Sequence, residues 1–81
     1  MDINQLTELD LFRLKALEHY DWVDEIPEET KKDIINFSLE DLKNFFMDDV
    51  EEIKSSIKDQ MSEQPESWLR DQLLRIKNLL N

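Results

Sequence analysis

Between Ser38 and Met61 the apolar residues recur with the spacing of a helix. Leu39, Leu42, Phe46, Val50, Ile53, Ile57 and Met61 follow one another at steps of three, four, four, three, four and four. That keeps them on one side of a 3.6-residue turn, whereas a strand would scatter them over both faces. Lys43, Asp49, Glu52, Lys58 and Asp59 fall on the other side, and Phe45 and Met47 widen the apolar stripe. Ser38 with Asp41 three residues on is a variant of the capping box, and Phe37 can staple onto Leu42 across that turn. The pattern predicts one helix over 39–61, about 35 Å long at roughly 1.5 Å per residue. Such a helix can touch every other element and is expected at the centre of the fold.

The remaining segments carry similar marks. Thr7 as N-cap with Asp10 at N3, and Leu6 able to reach Leu11, opens a helix whose stripe is Leu9, Phe12, Ala16, Leu17 and Tyr20, with Leu11 and Leu14 on an adjoining edge. Pro27 fits the first position of a second, short helix, because its missing N–H would be unbonded there; Glu28 and Glu29 suit the positive end of its dipole, and Ile34 and Ile35 anchor it. Pro65 and Glu66 repeat the device before a last stripe of Trp68, Leu69, Leu73, Ile76, Leu79 and Leu80. The expected fold is all-α, one domain over 1–81, a small bundle of about four helices (8–20, 27–37, 39–61 and 65–80). The last helix is expected to fold back on the central one as an antiparallel hairpin. The doublets Leu73-Leu74 and Leu79-Leu80 leave open a docking role for it.

Composition narrows the chemistry. The 81 residues include no Cys and no Gly, which removes disulfides, thiolate metal sites and glycine-lined phosphate loops, and forces every turn onto Asn, Asp, Ser or Pro. A core of this size is near the lower limit of independent stability, so homodimerisation stays open. No basic n-region and no apolar run of about 18 residues is present, so membrane insertion is not expected and a cytoplasmic location is. The net charge is −10, concentrated in residues 21–41, where eight acids face Lys31 and Lys32. Direct binding to nucleic acid is disfavoured, and a protein partner with a basic surface is favoured.

No catalytic, cofactor or metal site is expected. The single imidazole, His19, lies between Glu18 and Tyr20 with no partner group marked out for it, and the run from Asp21 lacks the alternating ligands and glycine of a calcium loop. The candidate partner-binding residues are Trp22, Asp24, Glu25, Glu28 and Glu29 in the acidic middle, Asp48, Asp49 and Glu52 in the densest acidic cluster, and Trp68 near the start of the last helix. Each tryptophan would be a hot spot if exposed and a bundle plug if buried.

Two resemblances bear on function. Ala16-Leu17-Glu18-His19-Tyr20-Asp21, then Glu25-Ile26-Pro27-Glu28-Glu29 and Ile34, resembles a stretch of acyl carrier proteins over about a quarter of the chain. The Asp-Ser-Leu attachment site of that family is absent: Thr7 after Leu6 falls at its place and should not accept phosphopantetheine, and Phe37 precedes Ser38-Leu39. Carrier function is therefore not expected. As a short, acidic, glycine-free chain dense in Asn, Lys, Ile and Asp, it also resembles the small accessory proteins with which large T-even-like phages modify host machinery or regulate lysis. That resemblance implies a stoichiometric regulator.

The leading expectation is a non-enzymatic acidic helical regulatory protein that binds and modulates another protein. The alternatives are a nucleic-acid mimic that inhibits a nuclease or DNA-binding protein, and a self-assembling structural protein. Replacing Trp22 together with Glu25, Glu28 and Glu29 is expected to weaken capture of the partner while helicity by circular dichroism stays intact; undiminished capture would reject that surface.

Overall fold

The computed structural model describes residues 3–22 and 26–80, the side chain of Trp22 excepted. Among them lie a single 3-10 turn (Ile3–Gln5) and five α-helices: α1 (Glu8–Trp22), α2 (Glu28–Ile35), α3 (Leu39–Phe46), α4 (Val50–Glu63) and α5 (Ser67–Leu80). The described residues contain no strand.

The helix expected over 39–61 is two helices. Met47 ends α3 in the left-handed conformation, φ 57° and ψ 20°, its N–H donating to the Lys43 carbonyl at 2.9 Å. Asp49 then opens α4, its Oδ1 accepting from the Glu52 N–H at 2.8 Å. A residue with a Cβ in this conformation costs about 1 kcal/mol, which is why glycine usually fills the place. This chain has no glycine to offer.

The centre is also elsewhere. It is α1, not the 39–61 segment, that packs against all four other helices. Leu11, Phe12, Leu14, Ala16, Leu17 and Tyr20 are all buried, and at about 100° per residue they point in nearly every direction around the helix axis. A helix apolar on most sides must be surrounded. The capping box that starts it is reciprocal: Thr7 Oγ1 accepts from the Asp10 N–H and Asp10 Oδ2 from the Thr7 N–H, both at 3.2 Å.

Four polar ties radiate from α1, one to each neighbour. Arg13 Nε donates to the Ile35 carbonyl at 3.0 Å, satisfying an open carbonyl at the end of α2. Glu8 pairs with Lys43 of α3 at 3.2 Å. Glu18 Oε1 accepts from Gln60 Nε2 of α4. Asp21 accepts from both terminal nitrogens of Arg75 on α5, at 3.0 and 3.3 Å. The two ion pairs are half-exposed and individually worth at most about 1 kcal/mol. Together the four ties join α1 to each of the other helices by a directional contact.

Smaller differences follow from local chemistry. Pro27 is the N-cap of α2 rather than its first residue, with extended φ/ψ, and Ser67 rather than Pro65 begins α5. Ser38 caps α3 as expected, accepting from the Asp41 N–H at 3.2 Å. The last helix packs on α1 and α2 instead of forming a hairpin with the 39–61 segment. Leu74 stands exposed, while Leu73, Leu79 and Leu80 are half-buried against the core.

The break gives two substitutions of opposite sign. Asp49→Ala should lower unfolding free energy in urea by about 1 kcal/mol through loss of the cap, and Met47→Gly should raise it by about 0.5–1 kcal/mol. A continuous helix would instead make the glycine variant less stable.

Candidate interaction surface

The break determines what the chain shows to solvent at the α3–α4 corner. The last turn of α3 presents Phe45 and Phe46, whose rings meet edge-to-face at 4.8 Å and 89°. His19, exposed on α1, meets Phe45 and Phe46 edge-on, each at 6.1 Å, and Phe37 from the α2–α3 link reaches Phe45 at 6.3 Å. These are the offset geometries that aromatic quadrupoles favour. The cluster is only partly covered: Phe45 is 46% exposed and Met47, beside it, 88%. Both were expected to widen a buried stripe. Phe45 is turned aside by its place on α3, and the left-handed turn sends the Met47 side chain outward.

Acids follow directly. Asp48 is half-buried, and Asp49, Glu51 and Glu52 are exposed in the cap and first turn of α4. Part of this cluster has a helical explanation, since carboxylates at a helix N-terminus complement its dipole. Asp49 is the cap, and Glu51 lies 3.9 Å from Lys54. The sequence-derived candidates Asp48, Asp49 and Glu52 thus follow directly on the exposed side chains of Phe45 and Met47, which the spacing places at the flank of the apolar stripe.

The other candidates are placed differently. Trp22, as a side chain, with Asp24 and Glu25, lies outside the described residues. Glu28 and Glu29 are exposed in the first turn of α2, and Glu28 pairs with Lys31 at 3.5 Å. Trp68 is half-buried against the core and lines, with Glu18, Gln60 and Gln72, a cleft of about 190 Å³. Of the described candidates, Asp48, Asp49 and Glu52 lie together at the start of α4, while Glu28 and Glu29 lie on α2 and Trp68 on α5. An aromatic cluster on His19, Phe37, Phe45 and Phe46 was missed. The signal that could have found it is a second cap, Asp49 followed by Glu52, which marks a helix start inside the long stripe.

No three His, Asp or Glu side chains among the described residues are grouped to hold a metal ion, and no described helix is long and apolar enough to cross a membrane. Comparison with protein-family models, curated proteins and solved structures finds no match.

Among the described residues one titratable group is strongly shifted. Tyr20 is 4% exposed, and its buried hydroxyl has no hydrogen-bond partner among the described residues. Burial, and secondarily the Asp33 carboxylate, push its phenol from 10.0 up to about 12. The unfolded chain ionises first, so the stability carried by the neutral phenol is whole below pH 10 and falls between pH 10 and about 12. Tyr20→Phe should remove that fall, about 2 kcal/mol relative to the parent, in urea titrations across this window. It should leave the protein at least as stable at pH 7, because a buried hydroxyl with no partner is lost.

Proposed function

We propose that this chain is a non-enzymatic, acidic helical regulatory protein that binds another protein and modulates it, docking through the α3–α4 corner. The observation that carries this reading is Met47: a large apolar side chain at 88% exposure, on a backbone conformation that disfavours it, beside a half-open aromatic cluster. Strain and exposed apolar surface coinciding at one point are the mark of a binding surface rather than of a core. The neighbouring Asp48 and Glu52, and a net charge of −10, favour a partner that offers an apolar side chain ringed by Lys and Arg. The cluster would supply affinity and the acids would steer the encounter. The resemblance in composition to accessory proteins of T-even-like phages agrees with a stoichiometric regulator. Nucleic-acid mimicry draws less support, because Asp49 and Glu51 are engaged within α4 and Glu28 is paired.

The test is capture of the partner from an extract of the native cell, followed by measurement of its affinity. Phe45→Ser with Met47→Asp should weaken binding at least about tenfold, a change of roughly 1.4 kcal/mol, while circular dichroism is unchanged. The effect of neutralising Asp48 and Glu52 should shrink as salt rises, in line with screening of exposed charges. Binding indifferent to all four positions would remove the corner from the reading.

A further inference from the structure

An open groove of about 430 Å³ runs between the N-terminal turn with the start of α1 and the second half of α5. Its apolar lining is Leu6, Leu73, Ile76 and Leu80, and Arg13 and Lys77 border it. Ile76 is buried, but the three leucines remain partly in water. Arg13 is fixed there by its Nε–H, which the Ile35 carbonyl accepts at 3.0 Å, so the terminal nitrogens of the guanidinium are held in place. Lys77 has no ion pair among the described residues. Among the described residues one acid, Asp10, also borders the groove; its Oδ2 is committed to the Thr7 N–H. Among the described residues, two cations against one carboxylate beside apolar walls is an unusual balance for a chain of net charge −10. Small-molecule sites have this composition: mostly apolar, a few hundred cubic ångströms, with a few fixed polar groups.

We propose that this groove binds a free medium-chain fatty carboxylate, its head group taken by Arg13 and Lys77 and its chain lying along Leu73, Ile76 and Leu80. Length supports the choice. Leu73 to Leu80 spans about 10 Å of α5 at 1.5 Å per residue. An extended alkyl chain, with carbon–carbon bonds of about 1.5 Å, covers that distance in roughly eight to ten carbons. Charge supports it as well, because a guanidinium pre-positioned by a backbone carbonyl is suited to a planar carboxylate. None of these residues belongs to the Phe45–Met47 corner, so the groove and the docking surface stand or fall separately.

The experiment is titration of the whole protein with octanoate and decanoate below their aggregation concentrations, followed by calorimetry and by amide shifts in ¹⁵N-resolved NMR. The expected result is saturable one-to-one binding, about tenfold tighter for decanoate, with the largest shifts at Leu6, Arg13, Leu73, Lys77 and Leu80. Lys77→Glu should weaken decanoate at least tenfold and leave decanol unchanged; Lys77→Gln, which removes the charge without reversing it, should give a smaller loss in the same direction. Decyltrimethylammonium should not bind the groove. Absence of saturable binding, equal binding of the cationic amphiphile, or shifts centred on Phe45 and Met47 would each overturn the proposal. So would shifts in the groove that track protein concentration alone, which would make it a contact between copies of the chain.

Discussion

The other four helices of this structure are all packed against α1. Its buried residues leave almost no side free, and an apolar helix exposed on any face would forfeit about 25 cal/mol for each Å² left in water. Four further helices are needed to cover it, and in 81 residues they have to be short. The acids and the arginine of α1 then perform a second task. Glu8, Arg13, Glu18 and Asp21 each reach a different neighbour, so the same helix that supplies most of the core also indexes the position of its surroundings. Nonspecific apolar attraction gives collapse; these directional contacts choose among the ways of collapsing.

The break between α3 and α4 follows from that geometry. An unbroken helix over 39–61 would be about 35 Å long, while the Cα atoms of the body extend 30 × 23 × 22 Å. One end would overhang with nothing to bury against. Bending at Met47–Asp49 lets Leu42 on one side and Ile53 and Ile57 on the other all reach the core. In a chain without glycine the bend falls to a residue with a long apolar side chain, and its exposure is a direct product of the turn. Core formation and display of the Met47–Phe45 corner are therefore two results of one backbone conformation.

Much of the local structure could be read from the residues, because it depends on near neighbours. Thr7 with Asp10 and Ser38 with Asp41 form the expected caps, Ile34 and Ile35 anchor α2, and the all-helical class follows from spacing. The break could not be read from spacing, since Phe46, Val50 and Ile53 keep helical phase across it. Asp49 with Glu52 carried the same capping signature as Ser38 with Asp41, but a polar residue on the wet side of a long stripe reads equally well as a solvated face. The central role of α1 was hidden for the opposite reason: apolar residues in nearly every direction look like a weak stripe when only one face is sought. Among the candidate site residues the acids of 48–52 were found and their aromatic neighbours were not, because which ring is covered depends on helices distant in the chain.

The small size of α3 has a kinetic side. Eight residues long, it places only Leu42 fully inside and packs chiefly on α1, with one half-exposed ion pair to help. Its amides should exchange with solvent through local opening well before the α1-centred unit unfolds, as happens in segments with few buried contacts. Phe45 and Phe46 ride on that segment. Any protein that grips them also holds the segment shut, so association would slow amide exchange in α3 and the affinity measured would include the work of closing it.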